Sequence, residues 1–121
     1  MIKTEREIPL SESHYERLPM TTYLQTVRTK ALPGREAEYR EWYLDTHIPQ
    51  MLSLDGFVSA NLHRLVTAAA DPAEFLCIYV IETSDLAATQ NAMMTAGASV
   101  APSPAMDLPA TVVEVFHGVN A

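Results

Sequence analysis

The order in which strand-like and helix-like segments follow one another is the feature of this 121-residue chain that most limits its possible folds. Segments rich in β-branched and aromatic residues, either alternating or continuously apolar, predict strands, and apolar residues at helical spacing predict helices. In chain order these are a strand at 23–29, a helix at 35–47, strands at 57–65 and 75–81, a helix at 85–96 and a strand at 111–117. The pattern predicts the order βαββαβ.

Turn and capping residues separate these segments. Pro49 disfavours helical geometry at the residue before it, so we expect the first helix to end at about Ile48. Thr83 or Ser84 is expected to cap the second helix, and Gly97 is expected to stop it. The remaining breaks are turns at Pro33-Gly34, Asp55-Gly56 and Asp71-Pro72.

Two βαβ units with right-handed crossovers predict a ferredoxin-like α+β fold, in which a four-stranded antiparallel sheet carries two helices on one face. Strict alternation then assigns one set of side chains to each face of the sheet. The first set is apolar throughout: Leu24, Val58, Ala60, Leu62, Leu76, Ile78, Val80, Val112 and Phe116. The second set contains Tyr23, Gln25, Ser59, Asn61, His63, Cys77 and Tyr79, with Phe57, Phe75, Val113 and Val115. Two such faces are too apolar to leave one in water, so a second copy is expected to cover the free face in a homodimer.

The charge of the chain limits its partners. There are 8 Lys and Arg residues against 15 Asp and Glu residues, and every basic residue lies between Lys3 and Arg64. This balance argues against binding to nucleic acid, to an anionic membrane surface or to a phosphate-rich cofactor. An anionic ligand would require Arg28, Arg40 or Arg64, and an uncharged ligand is the simpler expectation.

Other absences narrow the function classes further. The single cysteine, Cys77, cannot form an internal disulfide or a Cys-rich zinc site, and it is expected to be a small buried hydrophobe. No segment has the length of a membrane span or the pattern of a secretory signal, so a cytoplasmic protein is expected. No metal and no cofactor are expected, since the histidines lack ligand spacing and no Gly-rich dinucleotide motif occurs. We divide the chain into an N-terminal arm at 1–21 and one domain at 22–121.

One stretch resembles a known family. A helix that ends in the aromatic residues Trp42 and Tyr43 is followed by His47-Ile48-Pro49 and by a strand that opens at Gly56-Phe57. This order resembles the signature of the dimeric α/β-barrel superfamily, specifically its EthD-like branch. The resemblance covers residues 22–117, and its specific motifs lie within 33–60. The resemblance implies a homodimer whose two sheets form an α/β barrel, with a small-molecule pocket in each subunit. Members include cofactor-free polyketide cyclases, quinone-forming monooxygenases, muconolactone isomerases and proteins encoded beside catabolic oxygenases.

The resemblance and the chemistry of the side chains give a set of candidate site residues. His47 matches the family's motif histidine, and a neutral imidazole could take a proton from a phenol or an acidic C–H group. Its structural alternative is an imidazolium bound to the last carbonyl groups of a helix. Tyr79 could donate its hydroxyl to a developing enolate or phenolate oxygen. The candidates for substrate contact, each of which could instead pack in the core or face solvent, are Tyr43, His63, Asn61, Tyr23 and Trp42.

Two functional hypotheses follow. The first is a cofactor-independent enzyme that acts on a small apolar, aromatic or polyketide-like molecule by His-assisted proton abstraction, as a cyclase, isomerase, lyase or oxygenase. The alternative is a non-catalytic dimeric protein that binds a small molecule or serves as an accessory protein in a catabolic pathway. In a third hypothesis the N-terminal arm recruits another protein, and the barrel has a purely structural role.

Overall fold

In a computed structural model, residues 19–66 and 71–120 are described, and they form a four-stranded antiparallel sheet with helices on one face. The strands are β1 (Thr21–Lys30), β2 (Phe57–Arg64), β3 (Glu74–Thr83) and β4 (Val112–His117). The helices are α1 (Glu36–Trp42), α2 (Ile48–Leu52) and α3 (Leu86–Gly97), with a π-helical turn at Tyr43–His47 and a 3-10 turn at Leu108–Ala110. The strand order β2-β3-β1-β4 confirms the predicted ferredoxin-like α+β arrangement. The predicted arm lies outside the described residues except for its last three.

The first helical segment does not end where the sequence predicts. It continues from α1 through the π-helical turn into α2, and Pro49 lies in the first turn of α2. Proline lacks the N–H that an α-helix uses, and its ring collides with the carbonyl group four residues earlier. The wider π-helical turn directly before it changes this hydrogen-bonding pattern, so the helix can continue. His47 therefore lies inside a helical segment, and the structural alternative, in which it binds the last carbonyl groups of a helix, is wrong.

A one-residue bulge in β2 changes which side chains face the helices. Phe57 lies opposite Ile81 on β3, whereas Ser59 lies opposite Val80, so Val58 is the extra residue. Side chains alternate along a strand, and an inserted residue moves all later side chains to the other face. The prediction that Ser59, Asn61 and His63 share a face with Cys77 and Tyr79 is therefore wrong, and Ala60 and Leu62 take their place beside the core.

The core lies between the sheet and the helical layer. Its largest fully buried side chains are Tyr39, Tyr43, Tyr79, Phe75, Ile81, Gln25, Thr29 and Cys77. Burial of Cys77 confirms the prediction for that residue. The other face of the sheet stays open, and there Leu24 is 43% exposed and lies between Val80 and Phe116 on the neighbouring strands. None of the helices in the described part of the chain is long and apolar enough to cross a membrane.

The cap of α3 lies one or two residues later than predicted. Asp85 is the N-cap, and its carboxylate accepts a hydrogen bond from the backbone N–H of Ala88 at 3.1 Å. The hydroxyl of Thr83 accepts from the backbone N–H of Asp85, so it orders the approach to the helix instead of capping it. Gly97 is the last helical residue and Ala98 is the C-cap, so the prediction of a glycine stop at Gly97 is also wrong.

Two turn glycines allow a test of how closely the turn before β2 approaches the backbone of β3. Gly34 and Gly56 both have positive φ, but a Cβ at Gly56 would lie 3.2 Å from the carbonyl oxygen of Glu82, whereas one at Gly34 would meet nothing within 4 Å. Gly34→Ala should lower the free energy of unfolding by about 1 kcal/mol, from backbone strain alone. Gly56→Ala should lower it by about 2–3 kcal/mol, since backbone must also move. Urea denaturation measures both, and equal losses would contradict the close approach.

Candidate functional site

A cavity of about 430 Å³ lies between the sheet and the helical layer. Ala96 and Gly97 end α3 with little or no side chain, so the space between this end of the helix and the sheet is not filled. Most of the lining is apolar, and within residues 19–66 and 71–120 it contains no Asp, Glu, Lys or Arg side chain. Its polar members are Gln25, Thr29, Tyr39, Tyr43, His47, Gln50, Tyr79 and Thr111. A concave, mostly apolar cavity with a few polar groups is the usual form of a small-molecule site.

Aromatic rings fix the imidazole of His47 in the wall of this cavity. The Trp42 indole stacks on it with ring centres 4.9 Å apart and planes 13° from parallel. The Tyr43 ring meets it edge-on at 5.0 Å. Both contacts follow from the π-helical turn, because Trp42 directly precedes that turn and the other two residues begin and end it. The ring therefore has one packed orientation.

Burial keeps His47 neutral. Burial lowers the pKa of the imidazole below its ordinary value, and a hydrogen bond with the Gln50 side chain opposes this only partly. The Nδ1 atom of the ring is buried and has no hydrogen-bond partner. In a neutral imidazole one ring nitrogen carries the hydrogen and the other carries a lone pair that can accept a proton. His47 thus presents a neutral imidazole with an unpartnered ring nitrogen.

Two tyrosine hydroxyls meet beside the cavity. The oxygens of Tyr43 and Tyr79 lie 3.3 Å apart, and both residues line the cavity. Burial raises the pKa of each phenol far above its ordinary value, so both stay protonated at physiological pH. When one hydroxyl donates to the other, the acceptor keeps its own hydrogen to donate elsewhere. Burial also raises the pKa of the neighbouring Cys77 thiol, which makes it an unreactive group.

Tyr39 has a structural role. Its hydroxyl donates to Thr29 Oγ1 at 2.8 Å, and both residues are fully buried. Burial raises the pKa of the phenol to about 12, which the bond to Thr29 partly offsets. The bond joins α1 to β1. The hydroxyl of Tyr39 is thus already used, and the phenolic donors of the cavity are Tyr43 and Tyr79.

The structure brings together four of the seven predicted site residues: His47, Tyr79, Tyr43 and Trp42 all line the cavity. Asn61 and His63 do not belong to it, because the bulge at Val58 turns them to the open face, where both are exposed. Tyr23 lies on the helix-covered face and packs against the core, but it is not part of the cavity lining.

Five polar residues of the cavity were not among the predicted site residues: Gln25, Thr29, Tyr39, Gln50 and Thr111. Two of them, Gln25 and Thr111, carry unpartnered polar atoms. The sequence carried one signal for Gln25. Its neighbours on the same face of the strand include Tyr23 and Val27, so an apolar residue is expected at this position, and a glutamine is unusual there. Gln25 is 1% exposed, and its amide oxygen has no hydrogen-bond partner. Thr111 precedes β4, and its buried hydroxyl is also unpartnered.

The lowered pKa of His47 predicts how stability depends on pH. In the unfolded chain the imidazole takes up a proton as the pH falls through about 6.5, whereas in the folded protein it resists protonation to a lower pH. The free energy of unfolding should therefore fall between about pH 7.5 and about pH 5.5, a range above the titration of carboxylates. Urea denaturation across this range should show a shallower fall for His47→Gln, and identical slopes would contradict a neutral buried His47.

The arginines considered for an anionic ligand are paired with carboxylates and lie outside the cavity lining. Arg28 contacts Glu74 at 3.1 Å, and Glu36 contacts both Arg64 and Arg40, at 2.7 and 3.5 Å. Within residues 19–66 and 71–120, no group of three or more His, Cys, Asp or Glu side chains is placed to hold a metal ion. Comparisons of the chain with protein-family models, with curated proteins and with solved structures found no match.

Proposed function

We propose that this protein is a cofactor-independent enzyme that removes a proton from a small, uncharged aromatic or polyketide-like molecule, with His47 as the general base. One observation carries the proposal: a neutral, partly buried imidazole with an unpartnered Nδ1 belongs to the lining of a cavity in which the described residues contribute no charged side chain. A general base must be unprotonated at the working pH and free to accept a proton. The resemblance of 33–60 to the EthD-like branch of the dimeric α/β-barrel superfamily also supports it.

The geometry supports a simple first step. The lone-pair nitrogen of His47 takes the proton of a C–H group beside a carbonyl, and the electron pair moves to the carbonyl oxygen as an enolate. A phenol O–H would lose its proton to the same nitrogen and leave a phenolate. The Tyr43–Tyr79 pair retains one hydroxyl hydrogen that would be donated to that oxygen, and the Gln50 side chain favours the imidazolium. Cyclases, isomerases, lyases and cofactor-free oxygenases can all start from such a step.

Hydrogen–deuterium exchange tests this step without knowledge of the natural substrate. 2-Tetralone is an uncharged bicyclic ketone with acidic α-protons, and its size suits the cavity of about 430 Å³. In D₂O the protein should accelerate the loss of the α-proton signals in ¹H NMR spectra above the rate in buffer alone. If 2-tetralone binds and its exchange stays at the buffer rate, the enzyme proposal fails, and the non-catalytic binding or accessory protein becomes the better interpretation.

A homodimer is the second part of the proposal. The open face of the sheet carries a row of directly opposed apolar residues, Val80, Leu24 and Phe116, and Phe116 is 50% exposed. Such a face is stabilised when a second sheet covers it, and two copies related by a two-fold axis would form an α/β barrel. The net charge of −7 supports a partner other than nucleic acid, and the single cysteine agrees with a cytoplasmic location.

A further inference from the structure

Three buried polar atoms of this protein lack a hydrogen-bond partner, and all three belong to residues in the wall of the same cavity. Within residues 19–66 and 71–120, the buried side-chain nitrogen and oxygen atoms without a partner are Gln25 Oε1, His47 Nδ1 and Thr111 Oγ1. A buried polar atom without a partner destabilises a folded protein, and such atoms are rare. Three of them at one cavity indicate that its occupant supplies the missing hydrogen bonds.

The surroundings of Gln25 support this interpretation. Its amide N–H donates to Met93 Sδ at 3.3 Å, a weak acceptor, and its oxygen is left unpartnered in a side chain that is 1% exposed. An apolar side chain of the same length would fill this position without that cost. The last torsion of glutamine is soft, so the amide can turn toward a ligand without leaving its rotamer.

Gln25 and Thr111 lie on the sheet side of the cavity, and His47 lies on its helical side. β1 and β4 are neighbours, with Gln25 opposite Val115 and Val27 opposite Val113, and Thr111 directly precedes β4. The two polar side chains are therefore separated by the apolar Val27 and Val113, which also line the cavity. A ligand between the two layers would meet the base on one side and these two oxygens on the other.

We propose that Gln25 and Thr111 form a polar floor that orients an uncharged, hydroxyl-bearing aromatic ligand. Gln25 Oε1 accepts a hydrogen bond from the ligand hydroxyl, and the hydroxyl of Thr111 donates to a ligand oxygen. This arrangement disfavours an anionic ligand, because Gln25 Oε1 is an acceptor and no cationic side chain of the described residues lines the cavity. The inference rests on the proposed function only for the location of the reacting group at His47.

Three bicyclic probes of similar size test the floor: 2-naphthol, naphthalene and the anion 2-naphthoate. Equilibrium dialysis should show that the protein binds 2-naphthol roughly tenfold more tightly than naphthalene, and 2-naphthoate most weakly. Gln25→Met and Thr111→Val should each reduce the preference for 2-naphthol by roughly fivefold. Thr26→Val is the matched control, since Thr26 lies on the open face of the same strand, with its hydroxyl 3.5 Å from the carbonyl oxygen of Glu114.

Thermal unfolding of the ligand-free variants gives a second readout. Gln25→Met and Thr111→Val each remove an unpartnered polar atom, so their midpoints should equal or exceed that of the unsubstituted protein. Lower midpoints in both would overturn the inference, because they would show that these atoms are paired in the folded state. Failure of all three probes to bind, tighter binding of 2-naphthoate, or a 2-naphthol preference that survives in both variants would also overturn it.

The outcome is separable from that of the proposed function. A protein that keeps the preference for 2-naphthol but does not accelerate 2-tetralone exchange would contradict the proposed enzyme and support the polar floor. A protein that accelerates the exchange but shows no preference for 2-naphthol would contradict the floor alone.

Discussion

Replacing His47 with glutamine is expected to slow the protein-catalysed exchange of 2-tetralone α-protons by roughly 10²- to 10⁴-fold, the usual contribution of a general base. Glutamine is close to histidine in size and remains polar, so the cavity keeps its shape while the basic nitrogen is lost. The stacking partner Trp42 and the edge contact with Tyr43 tolerate a planar amide in place of the imidazole. The rate is measured by ¹H NMR in D₂O at equal protein concentration.

His63→Gln is the matched control for this prediction. It is the same substitution, but His63 is exposed on the open face of the sheet, opposite Leu76 on β3, and should leave the exchange rate unchanged. The rate should be flat above about pH 6.5 and fall at lower pH as His47 takes up its proton, since burial places its pKa below that value. Equal losses in both variants, or an unchanged rate in His47→Gln, would show that His47 is not the base.

Local patterns predict the fold and part of the site. Tyr43 and His47 are four residues apart, so any helical geometry brings them to one side, and the π-helical turn preserves this neighbourhood. Tyr79 lies on a central strand with regular alternation, and its face follows from its neighbours Cys77 and Ile81. For these residues, secondary structure and burial were sufficient to predict a shared location.

The errors arise where one residue changes the local period. Val58 adds a residue to β2, and no turn residue in the strand marks it, so Asn61 and His63 were assigned to the wrong face. Pro49 is normally a sign of a helix end, and only the hydrogen-bonding pattern of the π-helical turn before it explains why the helix continues. The lack of partners for Gln25 and Thr111 depends on the packing of elements distant in sequence. Local sequence patterns do not contain that information.

Leu24→Lys is expected to convert the proposed dimer into a monomer. Leu24 lies in the middle of the row formed with Val80 and Phe116, and a partner sheet would bury it there. A lysine without a counter-ion in that position costs several kcal/mol, and two-fold symmetry introduces it twice, so the dissociation constant should rise by at least roughly 100-fold. One folded copy tolerates the change, because Leu24 is already 43% exposed. Size-exclusion chromatography with light scattering measures the mass.

Met94→Lys is the control for that substitution. Met94 is 69% exposed on α3, outside the sheet, and its replacement should leave the dimer intact. A monomeric mass for the unsubstituted protein, or the same mass shift in both variants, would contradict the sheet-to-sheet dimer. Because the cavity lies on the face of the sheet opposite Leu24, the Leu24→Lys monomer should still bind 2-naphthol. Loss of that binding together with the dimer would mean that the second copy is needed to hold the cavity in its binding shape.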